Sequence, residues 1–412
     1  MRRGPPVSGA HEPALDAAVV RAQSWRFLYL AGLASFLGPA SISIYTPSLV
    51  ALRESFGTSN ALAGATVSAF GLVLAASQLL YGPLVDRFSG KTVLAGGLGL
   101  YVVASGLAAW APSIGVFLLA RGLQATGVAA GLVVGGALVS DRFPPAQRAA
   151  AMGTLQMFNA LGASTGPVLG SAVIALGFAW QVDFLVLAGL GTVAASGVLV
   201  LLPPLRAPSE RFAARAILRV LGQPATCAVA LLGAAQYYAH FSLLTFAPAV
   251  LSTAAHLEPQ WTGLLLLPQT LGVSFGAPVL GRLSDRWGRR RVALAGIASC
   301  ALALGGYTLA LALAPGPGAV PWLVLAQGTF GLALGASAAT QLVLMVEWWP
   351  QQRGAAVGTY AAVRYAGAAL GPLVGGWLVD RVALWAPFAA VTAVLLGTAL
   401  VAARLVREPP PR

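Results

Sequence analysis

Only 9 % of the residues in this 412-residue chain are charged, yet two short segments concentrate them. GPLVDRFSGKTVL at 82–94 and GRLSDRWGRRRVAL at 281–294 each set an aspartate, Asp86 or Asp285, among glycines and basic residues. Glycine permits a tight turn and a close approach of helices. An aspartate placed there can meet a helix N-terminus and a guanidinium together. That is the chemistry of a latch, with Gly82, Asp86 and Arg87 in one copy and Gly281, Asp285, Arg286, Gly288 and Arg289 in the other. A few ionisable groups stand instead inside or at the edge of long apolar runs. Arg121 lies about six residues into one run, and Arg364 lies eleven residues beyond Arg353, about 16 Å along a helix. His240 shares a polar-aromatic cluster with Gln236, Tyr237 and Tyr238, and Asp183 opens a further run. A carboxyl or imidazole in such a place can take up and release a proton, whereas a buried arginine demands a partner or a watery cavity.

The elements that must carry these residues are apolar throughout. The chain is 58 % hydrophobic with a mean hydropathy of +0.79. About twelve runs are long enough to cross a bilayer, which takes roughly 20 residues each. They lie near 27–49, 61–83, 93–111, 115–139, 149–175, 183–203, 225–250, 261–281, 292–314, 321–346, 354–378 and 386–403. The runs are continuous, which excludes the alternating pattern of a β-barrel, and they lack the polar face of a soluble core helix. The fold class expected is an all-α polytopic membrane protein.

A formal charge of +13 raises the question of nucleic acid, and position answers it. Of 25 basic residues, 21 fall in alternate connections and the two tails, while the other connections hold only Arg53 and Arg381. This is the positive-inside pattern, and it places both termini in the cytoplasm of a multi-pass protein of the cell membrane. The run from Arg289 to Arg291 is expected to do little more than set that orientation. The polar segment before about Ser24 does not read as a cleavable signal. Cys227 and Cys300 sit in apolar runs as packing residues. There is no metal cluster, nucleophile–base set or phosphate loop, so neither an enzyme nor a cofactor or metal is expected.

The chain repeats itself. Asp86 and Asp285 align at an offset of 199, Pro47 and Pro248 at 201, and FPPAQRAAAMG with WPQQRGAAVG at 205. LGASTGPVLG and AGAALGPLVG share that last offset, which pairs Gly162, Gly166, Pro167 and Gly170 with Gly367, Gly371, Pro372 and Gly375. A six-span unit has been duplicated in parallel. The expected organisation is a tail at 1–26, a six-helix bundle at 27–203, a linker at 204–224, a second bundle at 225–403 and a tail at 404–412. Arg121 corresponds to Gln327 and Arg364 to Asn159, so the repeat keeps shape but not charge.

These residues resemble the major facilitator superfamily. The second loop matches its GxLxDRxGR-K/R signature in full, and the first carries Ser89 where the family has glycine. LLARGLQATG resembles its fourth-span motif through Arg121, Gln124 and Gly127, and GASTGPVLGS its fifth-span antiporter motif. The resemblance implies twelve helices in two bundles related by a pseudo-two-fold axis, alternating access, a monomer, and kinds of transport found in the drug:proton antiporter branch. It also implies proton coupling or helix-to-helix hydrogen bonding at Arg121; an arginine snorkelling near the cytoplasmic face is the simpler alternative. The fifth-span motif and its repeat let helices approach closely, with Pro167 and Pro372 permitting kinks.

The expected partners are the lipid bilayer, a small-molecule substrate and protons, with no nucleic acid. Gln124, Asn159, Gln236, Tyr237, Tyr238 and Arg364 are the candidates for a substrate cavity. Ser43 stands where drug-efflux relatives carry an acid, and none of the twelve acids is mid-span. Asp183, His240 or a pairing of Asp86 with Arg121 would then have to carry the proton. The leading expectation is an exporter of small, largely hydrophobic compounds; the alternative is a permease for small organic anions using the buried arginines. Whether Arg364 already has a protein partner separates the two.

Overall fold

The computed structural model describes residues 12–142, 145–202, 219–254, 256–280, 283–313, 316–349 and 353–406. Among these, twelve long helices and no strand are found. The first six are α1 (Glu12–Ser43), α2 (Asn60–Arg87), α3 (Gly90–Ala109), α4 (Ile114–Arg142), α5 (Pro145–Ala175) and α6 (Gln181–Leu201). The second six are α7 (Pro224–Thr253), α8 (Leu267–Leu280), α9 (Arg289–Leu313), α10 (Val320–Trp348), α11 (Arg353–Arg381) and α12 (Ala386–Leu405). Nine of the described helices have both the length and the hydropathy to cross a bilayer.

Two expected runs are broken. The run at 27–49 ends as a helix at Ser43, because a turn containing Pro47 intervenes before a short helix at Leu49–Ser55. Proline cannot donate the amide that a continuous helix needs. The run at 261–281 begins with a one-turn helix at Pro259–Thr262 and a 3-10 turn at Leu264–Leu266 before α8 starts. The expected tails and linker lie largely outside the described residues.

Ser89, the departure from the loop signature, has a local reason. It caps α3 with φ −64°, its hydroxyl accepting from the Thr92 amide at 3.1 Å. The equivalent Gly288 has φ +87°, which a side chain resists. The two copies therefore start the following helix by different means, a serine cap and a left-handed glycine.

The helices pair identically in each half. α1 lies on α4, α5 and α6, α4 on α2 and α3, and α3 on α6. In the second half α7 lies on α10, α11 and α12, α10 on α8 and α9, and α9 on α12. The halves meet through α2 on α11 and, symmetrically, α5 on α8. Short connections make successive helices antiparallel, so α1 starts and α12 ends at one face, called here the terminus face.

Glycines set the spacing within each half. Gly162 and Gly170 of α5 face carbonyls of Phe36 and Ile44, and Gly367 of α11 faces the Ala234 carbonyl, each too close for a side chain. Gly166 is held likewise against Ser43. A Cβ on Gly371 would stand 2.5 Å from the Tyr238 carbonyl oxygen. Gly371→Val is expected to push α11 off α7 and cost about 1–3 kcal/mol, read as a lower Tm of the purified protein. Gly397→Val, at a position with nothing within 4 Å, should leave Tm unchanged.

Candidate functional site

At mid-depth the two halves enclose a cavity of about 70 Å³. Its wall is mostly apolar, with Ile42, Leu74, Leu132, Phe241 and Leu244 contributing. Polar tips come from Ser43 of α1, Asn159 of α5, Tyr237 and His240 of α7, and Tyr365 of α11. Among the described lining residues there is no carboxylate. Drug-sized ligands fill roughly 300–1,000 Å³, so a cavity this small admits one only when the halves part.

The rings around this cavity interlock. Tyr237 meets Tyr365 edge-on at 5.8 Å, His240 at 6.0 Å and Phe241 at 5.8 Å between ring centroids. The Gln269 amide nitrogen of α8 lies 3.0 Å from His240 Nδ1 and also donates to the His240 carbonyl at 3.3 Å. Arg364 stands behind this layer. Its Nη2 donates to the Tyr237 hydroxyl at 2.6 Å, and its guanidinium lies 3.9 Å from the Tyr237 ring centre and 5.4 Å from that of Tyr360. Arg364 thus has protein partners, and they are phenols and ring faces rather than a carboxylate. Its Nε is buried without a hydrogen bond among the described residues.

Three other cavity candidates lie elsewhere. Gln124 is wholly buried between α3 and α4, accepting from Arg121 Nη1 and donating to Ser105 at 2.8 Å. Gln236 is buried in a network in which Gln341 donates to it at 2.8 Å and Tyr360 donates to Gln341 at 2.9 Å. Tyr238 turns away to pack within the second half, its carbonyl against Gly371. Helical periodicity places Gln236, Tyr237 and Tyr238 on three different faces, so only one of them can reach the cavity.

Arg121 is fully buried, which overturns the snorkelling alternative. It is the eighth residue of α4, a helix that starts at the face opposite the termini, so it lies far from the terminus face. Its Nε donates to the Thr66 carbonyl of α2 at 3.5 Å, and its guanidinium stacks on Phe70 at 4.3 Å and Tyr45 at 4.8 Å. The contact also overturns a pairing with Asp86. Thr66 and Asp86 are twenty residues apart on one helix, about 30 Å.

Asp183 is equally buried and lies in the same neighbourhood. Its Oδ2 accepts from the Ser48 hydroxyl at 3.0 Å, and its Oδ1 has no partner among the described residues. Its neighbour Phe184 packs on Tyr45 at 5.4 Å and lies 5.8 Å from the Arg121 guanidinium. A carboxyl and a guanidinium therefore flank one aromatic cluster, each with an unsatisfied atom, because Arg121 Nη2 is also unpartnered.

Of the latch residues, Gly281 lies outside the described residues, as do the side chains of Asp86, Arg87 and Asp285 and the surroundings of Gly82. Arg286 is exposed. The arginines that follow do more than orient the chain, correcting the expectation for two of them. Arg289 pairs with Glu347 of α10, and Arg290 donates to the Ala403 and Val406 carbonyls at 2.7 and 2.8 Å, capping α12.

The opposite face carries a closure that the sequence did not reveal. Asp380, at the end of α11, accepts from the Asn60 amide at 3.2 Å, the Asn60 side chain at 2.8 Å and the Ala61 amide at 2.9 Å. One carboxylate thus caps α2 of the other half. On the symmetric side, Ser171 of α5 accepts from the Gly263 amide at 2.8 Å. The only signal for Asp380 was an acid at a span end, shared with several other acids.

Twelve antiparallel helices in two like halves, with a cavity between them and buried charges beside it, make a polytopic membrane transporter. The chain belongs to the Major Facilitator Superfamily, whose family model matches residues 31–268 and again 229–412. It is similar to a chloramphenicol resistance protein of Pseudomonas aeruginosa, 30 % identical over 70 % of each chain. A chloramphenicol resistance protein of Streptomyces lividans is 27 % identical over 84 % of this chain and 88 % of that one. Among solved structures, the nucleoside transporter NupG aligns with a TM-score of 0.77 at 15 % identity, over 92 % of this chain and 100 % of that one, a likeness of fold.

Proposed function

We propose that this transporter exports small, uncharged, largely hydrophobic compounds by alternating access, in exchange for protons. The observation that carries the reading is the chemistry of the central cavity: aliphatic and aromatic walls with phenol, amide, imidazole and hydroxyl tips and, among the described residues, no carboxylate to hold a cation. The similarity to chloramphenicol resistance proteins supports the substrate class. The distribution of basic residues supports a cytoplasmic terminus face. Asp380 and Ser171 then close the outer side, and substrate enters between the halves from the cytoplasm.

Asp183 is the proton carrier in this reading. The carboxyl is buried and held by Ser48, a place from which it can take up and release a proton as the halves move. Opening the outer side admits water, releases the bound state and lets the carboxyl exchange its proton, with Arg121 across Tyr45 to balance the charge.

In cells stripped of their own exporters, expression of this protein should lower the accumulation of neutral aromatic compounds. Ala163→Trp, which fills the cavity, should abolish that effect while the protein still reaches the membrane; undiminished export by this variant would contradict the reading. The bare Nε of Arg364 favours a second reading, in which a small organic anion displaces Tyr237 from the guanidinium. Arg364→Ala separates the two. It should abolish carboxylate flux if that second reading holds, and should lower export of neutral compounds only severalfold if the first does.

A further inference from the structure

Arg289 and Arg290 are both engaged at the start of α9, whereas the third arginine of the run has no such contact among the described residues. Arg291 is exposed and makes no hydrogen bond or ion pair among the described residues. It stands at a groove of about 660 Å³ between α9 and α10, which shares no lining residue with the central cavity. Small residues make the groove: Ala295, Gly296 and Ser299 of α9, with Ala333 and Ala336 of α10. Trp287 lines it beside Arg291 and is 61 % exposed.

The dimensions match one leaflet. From Arg291 to Ser299 the groove follows α9 for eight residues, about 12 Å, against roughly 15 Å for half of a hydrocarbon core. An exposed guanidinium at the terminus face pairs with phosphate through a planar fork, and an exposed tryptophan beside it belongs at headgroup depth. An apolar groove on a membrane-spanning helix pair has to be filled, since an empty one forfeits dispersion contacts along its length.

We propose that this groove is a binding site for one phospholipid with an anionic headgroup. The phosphate sits on Arg291, the glycerol backbone lies against Trp287, and one acyl chain runs along the floor formed by Ala295, Ser299 and Ala333. The adjoining arginines cannot substitute, because Glu347 and the end of α12 already hold them.

The test uses the full chain in nanodiscs of phosphatidylcholine into which phosphatidylglycerol with brominated acyl chains is titrated. Quenching of Trp287 fluorescence is isolated by subtracting the signal of Trp287→Phe. Wild type should be quenched at a lower mole fraction of brominated phosphatidylglycerol than of brominated phosphatidylcholine. Arg291→Gln should reduce that preference roughly fivefold, the worth of one cation facing an anionic lipid, and Arg291→Lys should keep most of it. Ala295→Phe, at an exposed position, should weaken quenching by both lipids because it fills the groove. Equal quenching by the two lipids in wild type, or an unchanged preference in Arg291→Gln, would overturn the proposal. So would relief of quenching by soluble glycerol phosphate, which would make this a site for a free anion.

Discussion

Asp183→Asn is expected to abolish proton flux driven by substrate while substrate-for-substrate exchange continues. Asparagine matches the neutral acid in shape and can still accept from Ser48, which holds Asp183 Oδ2 at 3.0 Å. The closed state should therefore fold and bind as before, with no proton to release. Under an inward proton gradient, wild type should export against a substrate gradient and the variant should only equilibrate it. Removing the partner instead, Ser48→Ala, costs about 1 kcal/mol of closed-state stability and should slow coupled transport without uncoupling it. Paired measurements of internal pH and substrate in proteoliposomes check both outcomes. Normal proton flux in Asp183→Asn would move the coupling role to His240, the imidazole on the cavity wall.

Asp380→Ala should shift the transporter toward its outward-open state. The carboxylate satisfies two orphan amides at the start of α2 from the opposite half of the molecule, so each opening of that face must break the cap. Replacing an N-terminal cap by alanine typically costs about 1 kcal/mol, roughly a fivefold change in the closed-to-open ratio. Asp380→Asn keeps an acceptor and should shift the ratio far less, which distinguishes a cap from a bare charge. Spin labels at Thr58 and Val382, with Cys227 and Cys300 replaced, would report the separation of α2 and α11. A distance distribution unchanged by Asp380→Ala would remove the latch from the transport cycle.

Much of this architecture was legible in the sequence because its signals are local. Continuous apolar runs give spanning helices wherever they fall, and the 199–205 residue offsets gave the duplication before any contact was known. The repeated glycines were legible too, since a small residue each helical turn has few other uses in an apolar run. Relations between distant segments were not legible. Asp380 and Asn60 are 320 residues apart, and nothing near either announces the other. Arg121 could be seen to lie inside a span, but whether it snorkels or is buried, and its partners Gln124, Thr66, Tyr45 and Phe70 from several elements, depend on the direction of the side chain. The same limit misplaced Gln236 and Tyr238. A cluster contiguous in sequence is spread around a helix, so Tyr237 reaches the cavity while its neighbours serve the core.

Export of an uncharged hydrophobic substrate in exchange for protons requires that such a substrate evoke proton flux. Purified protein in liposomes, with a pH-sensitive dye inside and an imposed pH gradient, would be challenged in turn with neutral aromatic compounds, hydrophobic cations and small carboxylates. Neutral compounds should dissipate the gradient, carboxylates and cations should do so weakly, and Asp183→Asn should remove the response. Flux evoked by carboxylates alone, and lost in Arg364→Ala, would contradict such an exchange.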